Sequence, residues 1–232
     1  MGQTSQATGA EMLSSGQSQA VTTGWQSDAS NVATVTGSWL VTGVANGRAT
    51  IFVIAGGRQG QQVVRVVPDY QGNWNIGQRV TSCAESGFFA DFDLCDDFAV
   101  GETFGSTLTL TQSGEQITAT PDYGGGLVLT TALAPISESG GTSFNSNGRI
   151  TESGLTLTID ATFALNSARV GELTGTVNEV WRLPNINGEG RLGYSIVLAT
   201  RSGAPGARTA SSATPLGRQF ADVLAGLRGR RK

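Results

Sequence analysis

The strongest constraint on this chain's fold is the two-residue alternation of Gly154–Phe163. Leu155, Leu157, Ile159, Ala161 and Phe163 take turns there with Thr156, Thr158, Asp160 and Thr162. A period of two puts each set on its own face of a strand, whereas a helix would scatter both around its axis. Ser106–Gln112 repeats the pattern with Leu108 and Leu110 on one face and Thr on the other, and Arg191–Thr200 gathers Leu192, Tyr194, Ile196 and Leu198. Further strands are expected at Ile76–Ser82, Gln116–Thr120, Leu127–Leu133, Thr142–Ile150 and Glu172–Leu183. So many one-sided strands in succession argue for an antiparallel meander. A meander of this count commonly closes on itself, which removes its edges. Residues 69–200 are therefore expected to form an antiparallel β-barrel-like domain.

Composition agrees. Charged residues make up only 14% of the 232, and the shortage of Lys and Glu removes the best surface helix formers. Thirty-three glycines supply the positive-φ positions that tight turns need. Disorder is excluded by the 38% of apolar residues, which alternate in short runs. The expected class is all-β, with one short carboxy-terminal helix.

Ahead of the meander, residues 1–68 carry short apolar runs at Asn31–Val35, Trp39–Val44, Ala49–Ala55 and Gln61–Val67. Gly37, Asn46-Gly47 and Gly56-Gly57 separate them, and Asn-Gly and Gly-Gly are strong hairpin signals. One strand per roughly ten residues fits a sandwich.

Two segments here carry a resemblance. Trp25-Gln26-Ser27 through Val32-Ala33-Thr34-Val35 resembles the W-x-S-x-x-x-x-V-A-T-V stretch of the bacterial group 2 immunoglobulin-like family, and Leu40–Ile51 continues with its L-V-T-G-V-x-x-G-x-A-T-I run. Val63–Val67 is similar to its closing strand, so the resemblance covers residues 11–68. Trp39-Leu40 departs from the family, which usually has Gly before V-T-G, and the short stretch before Trp25 suggests truncated first strands. An immunoglobulin-like sandwich is implied. Trp25 would pack between its sheets with Val32, Val35, Val41, Val44 and Ile51 as neighbours, and Gly43 and Gly47 would be turn positions. The resemblance also implies extracellular placement, as a spacer or an adhesive module.

The second domain opens with Gly72-Asn73-Trp74, and this, followed by eight strands, is similar to the start of lipocalin-like and avidin-like barrels. There a Trp plugs one end, which makes Trp74 a candidate barrel plug; a domain-entry Trp packing on the linker is the alternative. Cys83 and Cys95 are the only cysteines, with eleven residues between them. Two thiols are too few for a cysteine-only zinc site, and a structural disulfide is expected, with two unrelated buried thiols as the alternative; the bridge, if formed, places the chain in an oxidising compartment. Met1–Ala10 is polar and has neither the charged nor the apolar part of a secretory leader. A fragment, another export route and a different start all remain open.

Residues 201–232 read as a linker and a basic amphipathic tail. Arg201–Pro215 has linker composition, and Thr214-Pro215 is a credible helix start. Leu216, Phe220, Val223, Leu224 and Leu227 would then share a face opposite Arg218, with Arg228, Arg230, Arg231 and Lys232 beyond. Such a segment suits an anionic membrane or an acidic partner; packing back on the acidic body, or fraying, is the other reading. Residues 1–200 hold eight Arg against seventeen Asp and Glu, net −9, while the last 32 are net +6. An acidic body repels phosphate backbones, so no nucleic-acid partner is expected.

With no His, the chain can hold no Ser–His or Cys–His dyad and no histidine zinc site. Asp91, Asp93, Asp96, Asp97 and Glu102 superficially follow calcium-loop spacing, but Asp96 stands where the loop needs Gly. No metal and no cofactor are expected. Asp160, Glu172 and Glu179 are carboxylates that could in principle supply a hydrolase pair. The expected function is a non-catalytic interaction or spacer module, possessing a protein or carbohydrate surface partner, in the exterior or periplasm of a bacterium. The alternatives are a small-ligand carrier using the barrel interior and a carboxylate-pair hydrolase.

Overall fold

The computed structural model describes residues 4–152, 155–167, 171–184, 186–202 and 214–215. The chain divides into two compact units, Met1–Asp69 with Glu138–Gly140, and Tyr70–Ser137 with Gly141–Lys232.

The first unit contains β1 (Thr4–Gln6), β2 (Ala10–Met12), β3 (Ser18–Ala20), β4 (Trp25–Ser27), β5 (Ala33–Val35), β6 (Leu40–Gly43), β7 (Gly47–Ala55) and β8 (Arg58–Val66). Two three-stranded sheets, β1-β6-β5 and β4-β7-β8, enclose a small core of Ala33, Val41, Ala49 and Ile51. Trp25, Val32, Val35, Val64 and Val66 pack against that core half-buried. The β7–β8 turn is formed by Gly56 and Gly57, both at positive φ (56° and 75°), the backbone that a two-residue hairpin needs.

Three turn and core expectations are corrected. Asn46-Gly47 makes no hairpin: it carries the chain from β6 in one sheet to β7 in the other. Gly47 still has a glycine conformation, φ 151°, and a Cβ there would lie 3.0 Å from Val32. Gly43 is a strand residue paired with Ala33, not a turn position. Val44, beyond the end of β6, is 45% exposed and is no neighbour of the core.

The second unit is a meander of β9 (Gly72–Glu85), β10 (Thr103–Ser113), β11 (Gln116–Asp122), β12 (Ala132–Pro135), β13 (Thr142–Glu152), β14 (Leu155–Asn166), β15 (Thr174–Arg182) and β16 (Gly190–Arg201). Each strand pairs antiparallel with the next from β9 to β12 and from β13 to β16. The last strand returns to the first, with Arg201 opposite Trp74 and Gly190 opposite Glu85. The remaining seam, β12 to β13, is drawn together by the Ile136–Thr142 bridge and by hydrogen bonds between Thr130 and Asn147. The result is a nearly closed eight-stranded barrel. Its interior is filled with side chains, among them fully buried Trp74, Trp181, Tyr70, Tyr123, Tyr194, Phe163, Ile76 and Leu108.

Leu127–Leu133 is not one strand. After Gly124, Gly125 and Gly126, all at positive φ, the chain runs irregularly and regular pairing resumes only at Ala132. The Leu192-to-Leu198 face is also interrupted. Ile196 lies opposite Gln78 and Leu198 opposite its neighbour Gly77, so Val197 is an extra residue and the register slips by one. Leu198 consequently turns outward and is 41% exposed. Thr214-Pro215 does not start a helix: it forms a short strand, β17, parallel to Phe104–Gly105. The tail helix expected over Leu216–Lys232 lies outside the described residues.

Candidate functional site

Among the described residues, the barrel interior contains one ionisable cluster. Phase along β15 produces it: Val177, Glu179 and Trp181 share a face, and all three are buried. Glu179 is thereby carried inward among apolar side chains at 1% exposure. Three ring groups donate to its carboxylate: Tyr123 Oη to Oε1 at 2.5 Å, Trp181 Nε1 to Oε2 at 2.9 Å and Tyr194 Oη to Oε2 at 3.3 Å. Tyr123 directly follows β11 and Tyr194 lies on β16, so the carboxylate of β15 ties the end of β11 to β16.

Burial raises the Glu179 carboxyl to about 7, and the three ring donors pull it only part of the way back. The Tyr123 and Tyr194 phenols are held well above 10, by burial first and then by the adjacent Glu179 charge. The carboxyl therefore stands near its titration midpoint at neutral pH while both phenols stay protonated donors.

The other carboxylates do not join it. Asp160 is in register with Val180, on the opposite face of the sheet from Glu179, where Arg182 Nη1 binds it at 2.6 Å. Glu172 is exposed before β15. Glycoside hydrolysis needs two carboxyls facing one cleft, and these three do not share one. Asp160, Arg182, Glu189 and Arg191 instead form a chain of exterior ion pairs. Among the described residues, no group of three or more acidic or thiol side chains could hold a metal ion.

One barrel mouth is covered by the stretch between β9 and β10: a 3₁₀ turn, Gly87–Phe92, then a single helical turn, α1 (Leu94–Asp97). Phe89, Leu94 and Phe98 are its buried residues. Phe98 meets the Trp181 ring edge-on with centroids 4.9 Å apart, and Leu94 occupies the space where a side chain at Gly190 would lie. Cys83 and Cys95 are joined in the expected disulfide, Cα atoms 5.6 Å apart, linking α1 to β9. Glu85 Oε2 accepts the Cys95 N–H at 2.9 Å.

Trp74 is fully buried, and its indole donates to the Tyr70 carbonyl at 2.9 Å. The Arg201 guanidinium lies over the ring, 4.9 Å from its centroid. In the first unit, Trp25 is half-buried, its indole donating to the Val21 carbonyl; Val35 packs on the core, of which Ile51 is part. Asp28 accepts the Thr50 N–H at 2.7 Å, and this bond holds its carboxyl below the usual range. A groove of about 500 Å³ opens in this unit beside β1 and β8, reaching Val41, Ile51 and Val64.

Comparison with known proteins places the first unit. Residues 1–67 match the bacterial Ig-like domain (group 2) family. The match takes in the W-x-S and V-T-G segments and both sheets of the sandwich. No curated protein and no solved structure matches the chain significantly.

Two features escaped sequence reasoning. The Glu179 cluster had a signal, since Val177 and Trp181 set the phase that turns Glu179 inward. The Arg201–Trp74 contact had none, because the bulge at Val197 breaks the two-residue phase set before it.

Proposed function

We propose that the chain is a non-catalytic interaction or spacer module of a bacterial surface or secreted protein, in which the Ig-like unit supplies contact surface and the barrel a rigid body. The observation that carries this reading is the match of residues 1–67 to the bacterial Ig-like domain. Such domains are generally non-catalytic and occur in bacterial surface proteins. The Cys83–Cys95 disulfide supports an oxidising compartment.

The barrel does not favour the carrier alternative. A small-ligand site is a cavity of about 300 Å³ or more, whereas among the described residues the inward faces of these strands carry fully buried aromatic and aliphatic side chains. Among the described residues, the hydrolase alternative lacks a second carboxyl beside Glu179. The binding surface favoured by geometry is the groove beside β1 and β8, where an incomplete sandwich leaves apolar side chains within reach.

The test is to present the full chain to arrays of bacterial and host surface glycans and proteins, and in parallel to a panel of chromogenic glycosides and esters. Saturable binding without turnover is expected. Turnover abolished by Glu179→Gln would overturn the reading.

A further inference from the structure

The disulfide lies where it controls access to the barrel interior. Beyond Val80, β9 no longer pairs with β10 but stays paired with β16 as far as Glu85; the chain then leaves the barrel wall, crosses the mouth and re-enters at Thr103. Packing and hydrogen bonds hold this segment down. It seats Phe89, Leu94 and Phe98, and Phe88 donates its N–H to the Asn187 carbonyl at 2.9 Å. The only covalent tie from the segment to the barrel wall is Cys95 to Cys83 on β9. Directly beneath are Trp181, in contact with Phe98, and Glu179, in contact with Trp181. Both cysteines are half-buried.

We propose that Gly87–Phe98 is a redox-controlled plug. Oxidised, it stays seated and the carboxyl cluster is sealed; reduced, it lifts and exposes Trp181 and Glu179 to solvent while the barrel remains folded. The reductant is a dithiol. One of its thiolates attacks a cysteine sulfur, the Cys83–Cys95 bond breaks and a mixed disulfide forms. Its second thiol then displaces the protein sulfur, leaving two cysteine thiols and a cyclic disulfide, so that two electrons and two protons pass to the protein.

Native-state hydrogen exchange on the full chain, oxidised and after dithiothreitol treatment, tests this. The reporters are the Phe98 amide and the Trp181 indole N–H for the mouth, and the Phe163 and Val177 amides for the wall. In the oxidised chain mouth and wall exchange at about the same rate, because the plug opens only when the barrel does; after reduction the mouth exchanges at least about tenfold faster than the wall. Cys83→Ser/Cys95→Ser must behave as the reduced chain. Mouth and wall accelerating together would show that the bridge merely stabilises the whole unit, and no acceleration would show that packing alone seats the plug. Either result overturns the proposal.

Discussion

The Arg201 guanidinium lies over the Trp74 ring at 4.9 Å, so the last barrel strand is clamped to the first at their paired ends. Gly72 makes room for the clamp: it adopts φ 139°, and a Cβ there would fall 3.0 Å from the Arg201 stem. A cation over an aromatic face away from bulk water contributes about 1–2 kcal/mol. Arg201→Ala should lower barrel stability by that amount in urea denaturation. Gly72→Ala, which adds a left-handed backbone penalty of about 1–2 kcal/mol, should cost at least as much.

The clamp lies just beyond one extra residue. Before Val197, residues 192, 194 and 196 face inward; after it, Ala199 and Arg201 share the face of Ile76 and Trp74. Deleting Val197 should remove the bulge and leave Arg201 opposite Trp74, because Ile196, Ala199 and Arg201 then alternate regularly with Leu198 and Thr200. The expected result is that Arg201→Ala costs as much stability in the deletion variant as in the full chain. Loss of the Arg201→Ala effect on deletion would contradict it.

Glu179 makes barrel stability depend on pH. Its folded value, about 7, lies above the ordinary 4.5 of the unfolded chain, so the folded state binds the proton more tightly. This contribution is fully present below pH 4.5 and is lost as pH rises through 7, for a total of about 3 kcal/mol. Denaturation midpoints measured from pH 4 to 8 should fall more steeply for the wild type than for Glu179→Gln. Parallel curves would remove the assignment.

In the Ig-like unit the fully buried set is small, and Ile51, 2% exposed, lies at its centre. Ile51→Ala should destabilise that unit by about 2–5 kcal/mol. Because each compact unit has its own core, backbone NMR signals of the barrel should keep their positions while those of residues 33–66 broaden or collapse.

Much of this fold was legible because alternation is a local property. Seven of the eight segments expected over Ile76–Thr200 correspond to barrel strands, and Gly56-Gly57 forms the hairpin its residues specify. What failed was non-local. Asn46-Gly47 has hairpin chemistry, but the strands it joins belong to different sheets, and nothing within four residues says so. Leu198 has the right residue type for the core, yet the Val197 bulge, set by pairing with β9, turns it out. The family's usual glycine before the V-T-G run also gains a physical reason. Trp39 occupies that place at φ 67°, a conformation glycine takes freely, and its indole donates to the Thr22 carbonyl. The Glu179 site was only half legible: period two, applied strictly from Val177 to Trp181, turns the carboxylate inward, but its partners Tyr123 and Tyr194 come from strands that only the closed barrel brings near.

That the nearly closed barrel is filled around a sealed carboxyl is tested most directly by an NMR titration of the Glu179 side-chain carboxyl carbon in the oxidised chain. A midpoint near 7, well above that of the exposed carboxylates, is the predicted result. A midpoint in the ordinary carboxylate range, near 4.5, would mean that water reaches Glu179 and that the interior is not the packed core described above.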